Sequence, residues 1–235
     1  MRQLHVLQLY LDEMNAYGDQ GNLLAVQVRA RRRGLDPVVH HHRPGAELPD
    51  EVDLVLGGGG PDAAQLEVQR DIRRIGDRLH GLVERGVPML AVCATYQLFG
   101  NGYRTADGTD VEGIGIFDAD TRAGHRRLVG NVAISTEFAG TVYGFENHGG
   151  RTVLGSGQQP FGTVLRGAGN NGTDGFEGAR TRNVFGTYLH GPVLPNNPAF
   201  LDHLLALAVG ELPPADLDDS LADEVRRAAA RRVHL

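Results

Sequence analysis

The sequence contains no lysine: all 23 of its Lys-or-Arg positions are arginine. That absence excludes Schiff-base and pyridoxal phosphate chemistry, which need an amine nucleophile. It also excludes the Walker-A lysine that reaches the terminal phosphates of ATP. A single cysteine, Cys93, rules out an internal disulfide and gives no argument for export. No apolar run approaches the roughly 20 residues that span a bilayer. The opening Met1-Arg2-Gln3 leads into an alternating stretch that lacks the apolar core of a signal peptide. The expectation is a cytoplasmic protein with no membrane anchor of its own. A net charge of −6 leaves no basic footprint for nucleic acid.

What remains is an ordinary packed chain of 235 residues, 41% hydrophobic and 22% charged. That length suits one large domain, or one domain with a small appendage. Leu4 to Leu11 alternates like a strand, and Gly21 to Arg33 reads as a helix ending at Gly34. Pro37 to His41 is a short strand candidate. Val52 to Leu56 is a buried-strand run that lands on the glycines 57 to 60. Val68, Ile72, Ile75, Leu79, Leu82 and Val83 then form one apolar face of a long helix, stopped by Gly86 and Pro88. Met89 to Val92 is a further buried strand that runs directly into Cys93 and a helical Tyr96 to Phe99. Alternating strands and helices predict a parallel sheet covered on both faces.

From Gly113 to about Arg182 the chain is glycine-rich, with short alternating segments at Gly115 to Asp118 and Gly130 to Ile134. These suggest antiparallel additions and loops around one sheet edge. Asn183 to Leu189 returns as a strand ending at His190, and Pro198 to Val209 reads as a helix. Leu217 to Arg232 carries acids first and arginines last, which suits a helix dipole. The expected division is a domain over 1–212 and a helical extension over 213–235.

Open parallel sheets collect ligands at the carboxyl ends of their strands. Three strands deliver something reactive there: the glycine run after Leu56, Cys93 after Val92, and His190 after Leu189. A turn from strand into helix presents Cys93 at a helix N-terminus, where backbone N–H groups and the helix dipole favour thiolate. A free thiol is only a few per cent ionised near neutral pH, so a catalytic cysteine wants an imidazole partner. The glycine run lacks the ending and spacing of a P-loop; its unencumbered amides are better placed to donate to an oxyanion. Alone, each feature also has a structural explanation, as a buried small residue, a loop histidine or a tight turn.

The strand followed by Gly57-Gly58-Gly59-Gly60, the elbow Pro88 to Gly100 (PMLAVCATYQLFG), the segment Gly144 to Thr152 (GFENHGGRT) and Gly186 to Pro192 (GTYLHGP) resemble the class I glutamine amidotransferases of the cobyric acid synthase type. Within that family the chain resembles the GatD-type glutaminase subunits of lipid II isoglutaminyl synthases, from about His5 to Gly210. Asn15 to Asn22 (NAYGDQGN) and Arg127 to Gly130 (RLVG) add to the likeness. The resemblance implies a flavodoxin-like three-layer α/β fold, mainly parallel with antiparallel additions. It implies hydrolysis of L-glutamine through a thioester on Cys93, with His190 as base and then acid. Arg127 would bind the glutamine α-carboxylate, and a guanidinium is the group such a carboxylate seeks. Gly58, Gly59 and the amide of Ala94 are the oxyanion-hole candidates, and Gln97 would help seat the substrate. The partner implied is a MurT-type, Mur-ligase-like subunit in a heterodimer, which amidates D-glutamate of the lipid II stem peptide. No cofactor is expected in this chain, ATP belonging to the ligase; the absence of lysine agrees with that division.

Two departures from the family pattern matter. Ala91 and Thr95 stand in the elbow where relatives often carry glycine. Pro192 stands two residues after the histidine, where many class I enzymes carry an orienting carboxylate. Asp19, Glu146, another acid or the partner could fill that place; a partner-supplied acid is the expectation, and it predicts a poor glutaminase in isolation. The alternatives are another Cys–His hydrolase on this scaffold, a peptidase or deglycase, and a non-catalytic subunit that binds a ligase. The run His40-His41-His42 alternates faces on a strand and lacks companion ligands, so no metal site is expected and the run reads as a solvated strand end. His148 could line a glutamine pocket or bond within its loop.

Overall fold

The computed structural model describes residues 2–215 and 217–234. In chain order the elements are β1 (Gln3–Leu9), α1 (Gln20–Arg32), β2 (Asp36–His42), β3 (Leu54–Gly57), α2 (Asp62–Arg74), α3 (Gly76–Glu84), β4 (Met89–Val92) and α4 (Ala94–Phe99). Then follow β5 (Gly102–Arg104), β6 (Asp110–Glu112), β7 (Ala119–Thr136), β8 (Gly140–Leu154), β9 (Gly162–Arg166) and β10 (Phe176–Glu177). The chain closes with β11 (Ala179–Thr181), β12 (Val184–Thr187), α5 (Pro198–Val209) and α6 (Ser220–Arg232).

The first sheet has the order β11-β12-β4-β3-β1-β2 and is parallel except for β11. Its strands β3, β4 and β12 are buried throughout, which is why they read as continuous apolar runs. Helix α1 packs on α5, and α2 on α3 and α4. The strand order reverses between β1 and β3, the place where such sheets bind ligands. There the register sets Gly57 beside Ala91 and Thr187 beside Val92, so the carboxyl ends of β3, β4 and β12 lie side by side.

The middle of the chain differs from the edge additions expected of it. It forms a second six-stranded sheet, ordered β10-β9-β7-β5-β6 with β8 also paired to β7. The expected strand at Gly130 to Ile134 is one part of β7, which is 18 residues long. Gly115 to Asp118 is no strand. The N–H groups of Ile114, Gly115 and Phe117 bond instead to the carbonyls of Leu98, Gly100 and Phe99 at the end of α4, which that short helix leaves open. The long helix expected over Val68 to Val83 is broken at Ile75 (φ −90°, ψ 1°) just before Gly76, a poor helix former, although its apolar residues still face the core.

The histidine run is also not a solvated end. His42 is buried, its Nε2 2.7 Å from Asp71 Oδ2, while His40 stacks on His5 and only His41 of the three is exposed. The C-terminal helix α6 has no fully buried residue, yet it is docked. Arg226 donates to the Thr141 carbonyl (2.9 Å) and to Asn197 Oδ1 (2.9 Å) and lies over the Tyr143 ring. Arg29 joins Asp202 of α5 to Asp219 at the start of α6. No helix among the described residues is long and apolar enough to cross a membrane.

Candidate active site

Cys93 sits between β4 and α4 with φ +52° and ψ −102°, a backbone conformation that costs a non-glycine residue about 1–3 kcal/mol. Neighbours hold it there. Its N–H donates to the Thr187 carbonyl (2.8 Å), and its carbonyl receives the Gln97 N–H (3.0 Å). The elbow's unusual Thr95 is matched by Gly57, where a Cβ would come within 2.4 Å of Thr95 Cγ2, and the Thr95 hydroxyl donates to the Gly58 carbonyl at 2.7 Å. The Thr95 side chain is thus accommodated by Gly57 and Gly58 opposite.

His190 follows β12 and is held by a two-way backbone bridge to Phe145, at 3.0 and 2.8 Å. A Cβ on Gly59 would lie 2.9 Å from His190 Cε1 and 3.0 Å from the Cys93 Cβ, so ring and cysteine close on one point where only glycine fits. Nδ1 of His190 is 3.3 Å from Asp19 Oδ1. Because a carboxylate accepts, Nδ1 carries the proton and Nε2 is turned toward the sulfur. Nε2 is buried and neither accepts nor donates a hydrogen bond in the resting site. Burial pulls this imidazole's pKa down, but Asp19 and Cys93 beside it outweigh that and raise it to about 10.

Of the acids named for the place beside the histidine, Asp19 is the one this chain puts there. Asp19 arrives from the loop after β1, on the opposite side of His190 in sequence from Pro192. Glu146 is engaged elsewhere, accepting the N–H groups of Ala168 (2.8 Å) and Gly169 (3.0 Å). Glu177, behind β12, accepts from Tyr188 N–H (2.6 Å) and from the Thr187 hydroxyl; burial pushes its carboxyl up to about 8 despite those bonds.

Cys93 opens on a cleft of about 380 Å³ whose lining includes Gly60, Gln65, Gln97, Arg127 and His148. Arg127 reaches it because residues 124–127 bulge out of the β7–β8 ladder, re-aiming the side chain. Its Nε donates to Asn147 Oδ1 (2.8 Å), and its Nη2 donates to the Asn147 carbonyl (2.6 Å) and the Tyr17 hydroxyl (3.1 Å). Gln97 is fixed at both ends, by Gln65 Nε2 (2.8 Å) and by the Tyr188 hydroxyl (3.1 Å). His148 is buried against Tyr188 with Nδ1 on the Gly150 carbonyl, so it both bonds locally and borders the cleft.

The glycine candidates need correction. The Gly59 N–H already donates to Asp19 Oδ2 at 2.8 Å, which withdraws it from an oxyanion. Gly58 packs under Met14, whose carbonyl oxygen would be 2.2 Å from an added Cβ, and it does not border the cleft. Gly60 does. It carries the last N–H before Pro61, which has none to give, and that signal was present in the sequence. The Ala94 amide heads α4, where no carbonyl one turn earlier lies in the helix. Tyr17, whose ring centroid is 4.4 Å from that of His190, is a further residue that no spacing marked.

A strand-to-helix cysteine, a carboxylate-held histidine and an adjoining cleft over a parallel sheet are the equipment of a cysteine-dependent amide hydrolase, and the family match makes the class a glutamine amidotransferase. The chain belongs to the CobB/CobQ-like glutamine amidotransferase domain family, matched over residues 5–198. It is 40% identical over 239 residues to the lipid II isoglutaminyl synthase (glutamine-hydrolyzing) subunit GatD of Staphylococcus aureus, across 100% of this chain and 98% of that protein. The subunit of the same name from Streptococcus pneumoniae is 34% identical over 95% of this chain and 89% of that protein. A cobyric acid synthase of Sinorhizobium medicae is 34% identical over 63% of this chain but 31% of that much longer protein. Among solved structures, a glutamine amidotransferase superposes with a TM-score of 0.61 at 17% identity, covering 86% of this chain and 98% of that one. PurLQS from Thermotoga maritima gives 0.58 at 16%, covering 81% and 88%. These likenesses establish the class I glutamine amidotransferase fold.

Proposed function

We propose that this chain is the glutamine-hydrolysing subunit of a lipid II isoglutaminyl synthase, supplying ammonia to a Mur-ligase-like subunit that amidates D-glutamate of the stem peptide. The observation that carries the chemistry is the Cys93–His190–Asp19 alignment beside an arginine-bordered cleft. The full-length match to two such subunits, rather than the partial match to cobyric acid synthase, supports the acceptor.

In this reading Arg127 takes the α-carboxylate of L-glutamine. The Cys93 sulfur attacks the side-chain amide carbon, and the oxyanion that forms meets the amides of Ala94 and Gly60. His190, with a pKa near 10, holds a proton at neutral pH and passes it to nitrogen as the C–N bond breaks and ammonia leaves. Water then adds to the γ-glutamyl thioester with His190 as base, releasing glutamate and the thiol. Nothing in these steps draws on ATP, which the ligase would use. The complex would work in the cytoplasm, its membrane contact coming from the lipid-linked substrate.

The test is the complex of the full chain with its ligase, assayed with glutamine or with ammonium as nitrogen source. Cys93→Ala should abolish glutamine-dependent amidation, by roughly 10⁴-fold or more, and leave the ammonium-dependent reaction intact. Equal activity of the variant with both sources would instead make this chain a scaffold.

A further inference from the structure

Tyr17 lies in the loop between β1 and α1, followed by Gly18 at φ +73°, and is 37% exposed. Its side chain nonetheless has two engagements in the cleft. The ring packs on His190, with centroids 4.4 Å apart and planes inclined by 51°. The hydroxyl oxygen receives an N–H from Arg127 Nη2 at 3.1 Å. One residue thus spans the distance between the group that moves the proton and the group that holds the substrate's carboxylate.

Counting protons shows what the hydroxyl is free to do. Arg127 Nη2 has two hydrogens, directed at Tyr17 and at the Asn147 carbonyl, and Nε has one, directed at Asn147 Oδ1. Only Nη1 keeps both of its hydrogens for an incoming anion. The bidentate grip that guanidinium groups give carboxylates therefore cannot form without rearranging Nη2. The Tyr17 hydroxyl is accepting from Arg127, so its own hydrogen is not used in that bond. A carboxylate held by Nη1 would find that phenolic O–H, bonded to the same guanidinium, as a second donor.

Building on the glutaminase reading, we propose that Tyr17 is a clasp on glutamine: its hydroxyl, shared with Arg127, donates to the substrate α-carboxylate, while its ring keeps the His190 imidazole seated over Cys93. The ligand recognised is an α-carboxylate on a free amino-acid amide. The clasp distinguishes glutamine from carboxamides that lack this group, such as a peptide-bound glutamine. The two functions sit on different atoms and are separable by substitution. Tyr17→Phe removes the donor and keeps the ring; Tyr17→Ala removes both.

The experiment is steady-state glutaminase kinetics of the full chain and both variants, with L-glutamine and with its α-carboxamide derivative as alternative substrates. Tyr17→Phe should raise the KM for L-glutamine about tenfold, the loss expected for one hydrogen bond to a charged group, with kcat and the pH profile of kcat held. The α-carboxamide derivative, which offers no anion, should be used equally by the wild type and Tyr17→Phe. Tyr17→Ala should in addition lower kcat and change its pH profile, because the imidazole loses its packing. An unchanged KM in Tyr17→Phe would overturn the clasp, as would an equal rise in KM for both substrates. Reaction of Cys93 with a glutamine-like electrophile shows that each variant is folded. A wild-type chain that releases no ammonia from glutamine would defeat the glutaminase reading itself, a different outcome from wild-type activity with an insensitive Tyr17→Phe.

Discussion

Two buried histidines in this molecule each face an aspartate, and their fates differ. His42 is 2.7 Å from Asp71, and that carboxylate also accepts from the Tyr10 hydroxyl, the Gly45 N–H and Arg74. His190 is 3.3 Å from Asp19, which has one other donor, the Gly59 N–H. The His42 pair is the shorter and the better satisfied, yet its far nitrogen meets no nucleophile. The far nitrogen of His190 turns toward the single sulfur of the chain, beside a cleft. A histidine–carboxylate pair becomes a catalytic element through what lies on its other side, not through the quality of the pair.

The comparison can be broken first at Asp19. Asp19→Asn should lower kcat/KM for glutamine on the order of 10²-fold, the scale of a mispositioned general acid–base group. The alkaline limb of the pH profile, which His190 should set near pH 10, should move to lower pH, since a bond that raises this pKa is lost. Steady-state kinetics across pH would read both. The same assay on the wild-type chain without its ligase should show glutamine hydrolysis, because the orienting acid is its own.

Asp71→Asn should do the opposite. Catalysis should stay within about twofold, while denaturant unfolding should show a loss of about 2 kcal/mol from hydrogen bonds to a charged group. Burial raises the Asp71 pKa, but the bonds from Gly45, His42, Tyr10 and Arg74 outweigh it and hold it at about 2. This contribution is therefore present above its ordinary pKa and fades as pH falls toward 2.

An effect on stability alone, with none expected on catalysis, belongs to Glu177, whose carboxyl stands at about 8 because burial disfavours its charge. A folded pKa raised above the unfolded one means the folded state binds the proton more tightly. Stability from this group is full below about pH 4.5 and declines as pH rises toward 8. Glu177→Gln should flatten that decline, seen as a smaller difference in Tm between pH 5 and pH 8.

Sequence periodicity located the first sheet well, because parallel strands buried on both faces are uniform apolar runs and their ends are marked. Met89–Val92 and Pro198–Val209 emerge with the bounds expected of them. The second sheet was obscured because β7 and β8 alternate half-buried positions with glycines, which read as loops until the partner strand is known. Cys93 and His190 were legible for the same reason as the sheet: both stand at strand ends. Asp19 was named among possible acids but could not be chosen, since a loop of 10 residues after β1 decides where it points. Gly59 and Gly60 were indistinguishable by composition. Beyond the proline that follows Gly60, it is the Asp19 carboxylate on the Gly59 N–H that separates them.

The claim on which all of this rests is a covalent bond between glutamine and the Cys93 sulfur. Rapid acid quench of the full chain turning over L-glutamine, followed by peptide mass analysis, reads that bond directly. A γ-glutamyl adduct should appear on the peptide bearing Cys93 and vanish in Cys93→Ala together with ammonia release. Ammonia release at the wild-type rate from Cys93→Ala would contradict the account.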